Sequence, residues 1–184
     1  MPFLTLHLTI YRWAELLALC ALLLIASPSR AQETGMSSGE RDMKVGFIYN
    51  FMRFTEWPED VASTLTLCIA GADPFGAALN VLHGKALGNR RLTVERRGDE
   101  SLAGCQAVFI SAAIAGTRAK VLTELRGKPV LTVADSPGAT LQGVHLNMAV
   151  AGGKITFEAN LKTALAAHIK LNPQMVRLAT EVIE

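Results

Sequence analysis

The chain has 184 residues, half of them hydrophobic, and its 18 Lys and Arg against 16 Asp and Glu give a formal net charge of +2. This balance gives no indication of nucleic-acid binding, which usually shows as a basic domain. We predict that residues 1–31 are a secretory signal peptide. Arg12 precedes the apolar run Ala14–Ala26, and Ser29 and Ala31 are small residues at positions −3 and −1 of a cleavage site before Gln32. The run of 13 residues is shorter than the roughly twenty that a membrane-spanning helix needs.

Cleavage before Gln32 leaves 153 residues, enough for one domain with its own core. The signal segment carries two Arg and one Glu, so 16 basic and 15 acidic residues remain, a net charge of +1. The polar segment Gln32–Gly39 has no hydrophobic periodicity, and we expect residues 32–40 to be a flexible leader and residues 41–184 to be the folded domain. Export would place the chain in an oxidising compartment, where an even pair such as Cys68 and Cys105 is usually a disulfide. Two cysteines without nearby histidines do not provide the four ligands of a zinc site.

The stretch Lys44–Pro58, KVGFIYNFMRFTEWP, contains five of the eleven aromatic residues. Phe47, Ile48, Phe51 and Met52 lie at the spacing that puts one apolar stripe along a helix. Pro58 cannot continue a helix, so the helix is predicted to stop near Glu56.

The body of the chain alternates apolar strands with short helices. Uniformly apolar strands separated by helices favour a mostly parallel sheet with helices on both faces. The predicted strands are Leu65–Ala70, Arg91–Glu95, Cys105–Ser111 and Val130–Ala134, and the predicted helices between them are Phe75–Leu82 and Thr117–Arg126.

The C-terminal end has a different pattern. Val144–Val150 and Lys154–Ala159 are extended runs around Ala151–Gly152–Gly153, which predicts an antiparallel hairpin. Two helices are predicted to follow, Leu161–Ile169 and Pro173–Ile183, the second with Asn172 as its cap. The predicted fold class is therefore a single α/β domain with an antiparallel hairpin and helices at its C-terminal end.

Catalytic and metal-binding patterns are missing from the sequence. His83, His145 and His168 show no metal-ligand spacing, Ala70–Gly76 lacks the lysine of a P-loop, and no G-x-S-x-G elbow occurs. We therefore predict that the protein is not an enzyme and holds no metal or cofactor. A basic cluster around the second strand indicates either a sheet edge protected by charge or an anion- or phospholipid-facing patch; its members are Lys85, Arg90, Arg91, Arg96 and Arg97.

The stretch Lys44–Pro58 resembles the opening motif of the YfiR family of bacterial periplasmic proteins, approximately K-x-x-F-I/L-Y-N-F-x-K/R-F-x-E-W-P. The resemblance covers about residues 44–183 and implies that Cys68 and Cys105 form a disulfide. Some family members carry a second cysteine pair near the terminal hairpin, and this chain has none there. Redox behaviour tied to that second bridge is therefore not carried over. The further matching segments are Cys68–Gly71, Asp73–Gly76, Gly104–Cys105, Leu131–Val133 and Phe157–Leu161.

The resemblance implies a periplasmic repressor of an inner-membrane diguanylate cyclase that binds the periplasmic sensor domain of the cyclase. It implies a second partner, an outer-membrane peptidoglycan-binding lipoprotein that sequesters the repressor, and it allows a homodimer. We expect such a protein to lower cyclic-di-GMP and biofilm formation. The alternative is a sensor module that binds a small solute in a crevice at the carboxyl ends of the parallel strands.

Five residues are candidates for partner binding. Trp57 follows the predicted helix and Arg53 lies one turn earlier, and both residue types are enriched among those that dominate binding energy. A position in the core is the other interpretation of Trp57. His145, Phe157 and Asn160, around the terminal hairpin, complete the set.

Overall fold

The computed structural model describes residues 36–58, 63–98, 100–112 and 116–184. The predicted signal peptide and the leader as far as residue 35 lie outside the described residues. No helix within the described ranges combines the length and the apolar character needed to cross a membrane.

Helix α1, Ser38–Arg53, carries the aromatic stretch. It begins with the Ser37 side chain accepting a hydrogen bond from the Glu40 N–H at 3.1 Å, which is a standard N-cap. The helix therefore includes the last three residues of the predicted leader. It also ends before Glu56, because Thr55–Glu56 form strand β1.

Eight of the described strands form one sheet in the order β10-β8-β7-β6-β5-β2-β4-β3. Neighbouring strands among β2, β4, β5, β6 and β7 pair in parallel with one another, as the apolar strand pattern predicted, whereas β3–β4 and β7–β8 are antiparallel pairs. The hairpin prediction is confirmed. The bounds are β2 Thr64–Ala70, β3 Ala86–Leu87, β4 Arg90–Gly98, β5 Ala107–Ile110, β6 Leu131–Ala134, β7 Leu146–Ala151, β8 Lys154–Asn160, β9 Lys170–Leu171 and β10 Glu181–Ile183.

The sheet separates two hydrophobic clusters, because successive side chains of a strand point to opposite faces. In β2, Leu67 and Ile69 face the larger cluster with α1 and the 3-10 helix Gly76–Leu82. Cys68 and Ala70 face the smaller cluster beneath helix α2, Thr117–Glu124. The predicted α/β fold with helices on both faces is confirmed.

The C-terminal prediction was correct only in part. Helix α3, Leu161–Ala166, is shorter than predicted, and helix α4 covers only Pro173–Val176. The prediction that one helix continues to Ile183 is wrong, since Glu181–Ile183 form β10 and pair in parallel with β8. Val182 and Ile183 are β-branched and suit a strand, and the available edge of β8 provides the hydrogen bonds. A second sheet of two strands joins β1 to β9.

Candidate functional site

Arg53 is the last residue of α1, and Trp57 lies beyond the end of the helix. Thr55 closes this end of the helix by donating its hydroxyl to the Phe51 carbonyl at 2.7 Å. Trp57 is half-buried, and its indole Nε1 donates to the Gln106 carbonyl at 3.1 Å. Arg53 is exposed, with its guanidinium 5.8 Å from the centre of the Phe54 ring. Trp57 is thus fixed in orientation and packs against the larger core cluster while the residue remains half-buried.

A groove of about 390 Å³ has Glu56, the residue before Trp57, in its lining. It lies between the β1–β9 pair and α3, and Leu165 on its wall is 61% exposed. A shallow depression lined by Leu161, Lys162, Leu165 and Glu184 continues from it. Exposed apolar area of this kind is typical of a protein-binding surface. We call Arg53, Trp57 and this groove the α1-end surface; the groove is lined by Glu56, Leu161, Ala164, Leu165, Ile169, Lys170, Leu171 and Pro173.

Phe157 and Asn160, two of the predicted contact residues, lie inside the domain. The Phe157 ring packs edge-on against Phe51 at 5.1 Å between ring centres, and its side chain belongs to the larger core cluster. The Asn160 side chain caps α3 by accepting from the Thr163 N–H at 2.9 Å and donates to the Thr140 carbonyl at 2.9 Å. Both residues are buried and serve the fold.

His145 is also buried and exchanges two hydrogen bonds with Thr132. The Thr132 N–H donates to Nδ1 of His145 at 3.1 Å, and the His145 N–H donates to the Thr132 hydroxyl at 3.0 Å. Burial lowers the pKa of His145 to about 4, and the hydrogen bond with the backbone of Thr163 offsets only part of that effect. The ring is therefore neutral near pH 7 and links β6 to the start of β7.

A buried polar network explains why the segment Phe157–Leu161 combines aromatic and polar residues. The Glu158 carboxylate accepts from the Thr140 hydroxyl at 2.8 Å and from the Asn147 side-chain amide at 3.2 Å. The Asn147 oxygen accepts from the Ser136 N–H at 3.1 Å. Together with Asn160, these contacts hold the connection between β6 and β7 against β8. Sequence reasoning missed this network, because its partners are far apart along the chain.

The carboxyl end of β6 is occupied by a buried ion cluster. Nζ of Lys44 in α1 lies 2.9 Å from Asp135 and 2.8 Å from Glu40. Burial alone would lower the pKa of Lys44, but the hydrogen bonds to Asp135 and Glu40 outweigh it and leave the pKa raised. Lys44 therefore stays charged and docks α1 onto the end of the sheet.

At the carboxyl ends of β2 and β4, Ala70, Gly98 and Leu102 take part in lining a small cavity of about 10 Å³. Also in the part of the chain described, no group of three or more His, Cys, Asp or Glu could hold a metal ion.

The predicted Cys68–Cys105 disulfide is present, with 5.9 Å between the Cα atoms. Cys68 lies within β2, and Cys105 lies two residues before β5, the neighbouring strand. Both side chains are buried in the smaller core cluster. The bridge therefore fastens the central strand pair from inside.

The basic cluster is a protected sheet edge rather than a patch of free cations. Arg96 contacts Asp73 at 2.6 Å and also donates to the Gly76 carbonyl and the Asn80 side chain. Nζ of Lys85 lies 4.2 Å from the centre of the Tyr49 ring. Two further side chains of the cluster also have partners. Arg97 forms an ion pair with Glu95, and Arg91 donates to the Gly84 carbonyl. These side chains cover the β3–β4 end of the sheet.

A family model described as YfiR/HmsC-like matches residues 41–180, more than half of the chain.

Proposed function

The chain belongs to the YfiR/HmsC-like family, whose members are regulators of diguanylate cyclases rather than enzymes, and from this premise we propose that it represses an inner-membrane diguanylate cyclase from the periplasm. Residues 1–31 would direct export, and the mature domain would bind the periplasmic sensor domain of the cyclase. Repression lowers cyclic-di-GMP and biofilm formation. An outer-membrane lipoprotein with a peptidoglycan-binding domain relieves repression by sequestering the protein.

The family match is the observation that carries this proposal. The disulfide supports the periplasmic location, because such bonds persist in oxidising compartments and are rare in the cytosol.

The α1-end surface is the region we assign to partner contact. Trp57 offers a large ring held in place by its hydrogen bond to Gln106, and a preoriented aromatic side chain loses little conformational freedom on binding. Leu165 adds exposed apolar area, and Arg53 adds a cation at the edge of the surface. Aromatic anchors with flanking Arg dominate many interfaces.

Repression requires only that the protein bind the inactive cyclase more tightly than the active one. Shifting a two-state equilibrium from 1:99 to 99:1 takes about 5.5 kcal/mol of differential affinity. A few well-packed anchors supply an energy of this size. No catalytic group is needed for such a mechanism.

The assignment is tested by capturing the diguanylate cyclase from solubilised inner membranes on immobilised protein and measuring the amount of cyclase retained. We expect the wild type to retain the cyclase, and Trp57→Ala, Arg53→Ala and Leu165→Glu to retain at least about tenfold less, equivalent to a loss of about 1.4 kcal/mol. Val81→Glu is the matched control, because Val81 is 67% exposed on the 3-10 helix, outside the α1-end surface.

Thermal unfolding of all variants separates an interface from a folding defect. Loss of capture with an unchanged Tm supports the α1-end surface. A large fall in Tm for Trp57→Ala would place that residue in the core instead, and capture that is equal in all variants would refute the assigned surface.

A further inference from the structure

A second concave region lies on the opposite side of the sheet from α1. It is a cavity of about 320 Å³ bounded by the C-terminal half of α2, by β6 and by α3. A volume of this size is at the lower end of the range for small-molecule pockets and holds roughly ten water-sized groups. Its lining residues are Leu122, Leu125, Arg126, Gly127, Val130, Thr132, Gln142, Gly143, His145, Thr163, Ala166 and Ala167.

The interior of this cavity is apolar in effect. Leu125, Val130 and Ala167 are buried lining residues, and their side chains offer no polar atom. Thr132 and His145 also line it, but the Thr132 hydroxyl accepts from the His145 N–H, and the His145 ring accepts from the Thr132 N–H and hydrogen-bonds with the backbone of Thr163. A ligand body that enters the cavity therefore meets hydrocarbon and already satisfied polar groups.

Arg126 is the charged residue of the lining. It is exposed at the mouth, and within the part of the chain that the structure describes its guanidinium has no ion pair or hydrogen bond. Arg118 in α2, by contrast, donates to Ser136 and Gln142. A guanidinium without a partner beside an apolar cavity favours a carboxylate, which it can bind through two parallel hydrogen bonds.

We propose that this cavity binds a small monocarboxylate with an aliphatic body of about eight carbons, the hydrocarbon lying between α2 and α3 and the carboxylate lying on Arg126. The site is separate from the α1-end surface, so the protein can bind a small amphiphile while it contacts a protein partner. Ligand binding would fasten α2 to α3, two elements from different parts of the chain.

Octanoate is the probe, and 1-octanol is the matched neutral compound. Binding is measured by calorimetry and by thermal unfolding. At ten times its Kd, octanoate should raise the Tm of the mature protein by about 3–6 °C. Arg126→Ala should weaken octanoate about threefold to tenfold and leave 1-octanol unchanged, so that the preference for the acid disappears. Lys128 is a cation two residues from Arg126 that does not line the cavity. The Lys128→Ala protein should therefore bind octanoate as the wild type does.

A blocking variant tests the place of the hydrocarbon body. Ala166→Phe puts a ring at the mouth, and it should abolish the effect of octanoate while its own Tm stays within a few degrees of the wild type. The proposal is overturned if octanoate neither binds nor raises the Tm. Octanoate affinity that is equal in the wild type, Arg126→Ala and Ala166→Phe would overturn it as well, since binding would then occur elsewhere.

Discussion

At the scale of single residues, the side chains that the sequence singled out divide into accessible and structural groups. Trp57 and Arg53 remain accessible, as a prediction of partner contact requires. His145, Phe157 and Asn160 are buried, and their hydrogen bonds and ring contacts explain their presence without a partner. The burial of His145 and Asn160 depends on the connection between β6 and β7, which has no periodic pattern from which its position could be predicted, whereas Phe157 is buried against Phe51 of α1.

His145 gives a prediction about pH. Its folded pKa of about 4 lies below the ordinary value of 6.5, so between these values the unfolded state binds more protons than the folded state. The stability contribution is therefore complete above pH 6.5 and is lost as the pH falls towards 4. We expect His145→Asn to lose less free energy of unfolding between pH 7 and pH 4.5 than the wild type, by on the order of 2–3 kcal/mol.

Urea unfolding at a series of pH values measures this difference. Asn keeps an acceptor for the Thr132 N–H, which limits unrelated damage. His168→Asn is the control, because His168 is exposed and Asn tolerates its positive φ of 58°; its curve should follow the wild type. Parallel curves for His145→Asn and the wild type would contradict the prediction.

At the scale of elements, local patterns predicted the parallel strands and the hairpin well but failed where tertiary pairing decides. The residues Glu181–Ile183 follow a correctly predicted cap, Asn172, whose side chain accepts from the Gln174 N–H at 2.8 Å. They nevertheless form β10, because β8 offers them an edge. The sequence likewise could not predict that the contact between Lys44 and Asp135 docks α1, because the two residues are 91 positions apart.

The disulfide is the element-scale feature with the largest expected energy. Closing a loop between residues 37 apart stabilises by about 4 kcal/mol in the chain-entropy model. The double variant Cys68→Ala/Cys105→Ala should lose about 2–5 kcal/mol in urea unfolding at pH 7.

Reduced wild-type protein is the matched comparison for that variant, since it lacks the bond but keeps both sulfur atoms. It should lose a similar amount of free energy. A loss below about 1 kcal/mol in both proteins would contradict a structural role for the bridge, and two free thiols in periplasmic material would exclude the bond itself.

At the scale of the whole molecule, the domain presents two separate regions on one rigid sheet. The α1-end surface has an anchored indole and exposed leucine, and the cavity beside α2 has an apolar interior with one guanidinium. The disulfide and the Glu158 network hold the sheet between them. A regulator that acts by differential affinity needs this kind of stable, preorganised surface.

The central claim is that this protein represses a diguanylate cyclase, and cyclic-di-GMP in a deletion strain tests it most directly. We expect deletion to raise cyclic-di-GMP and biofilm, and a secreted wild-type copy to restore the low level. A secreted Trp57→Ala copy present in equal amount should fail to restore it. If neither deletion nor the secreted copy changes cyclic-di-GMP in a strain that has the cyclase, repression of the cyclase by this protein is contradicted.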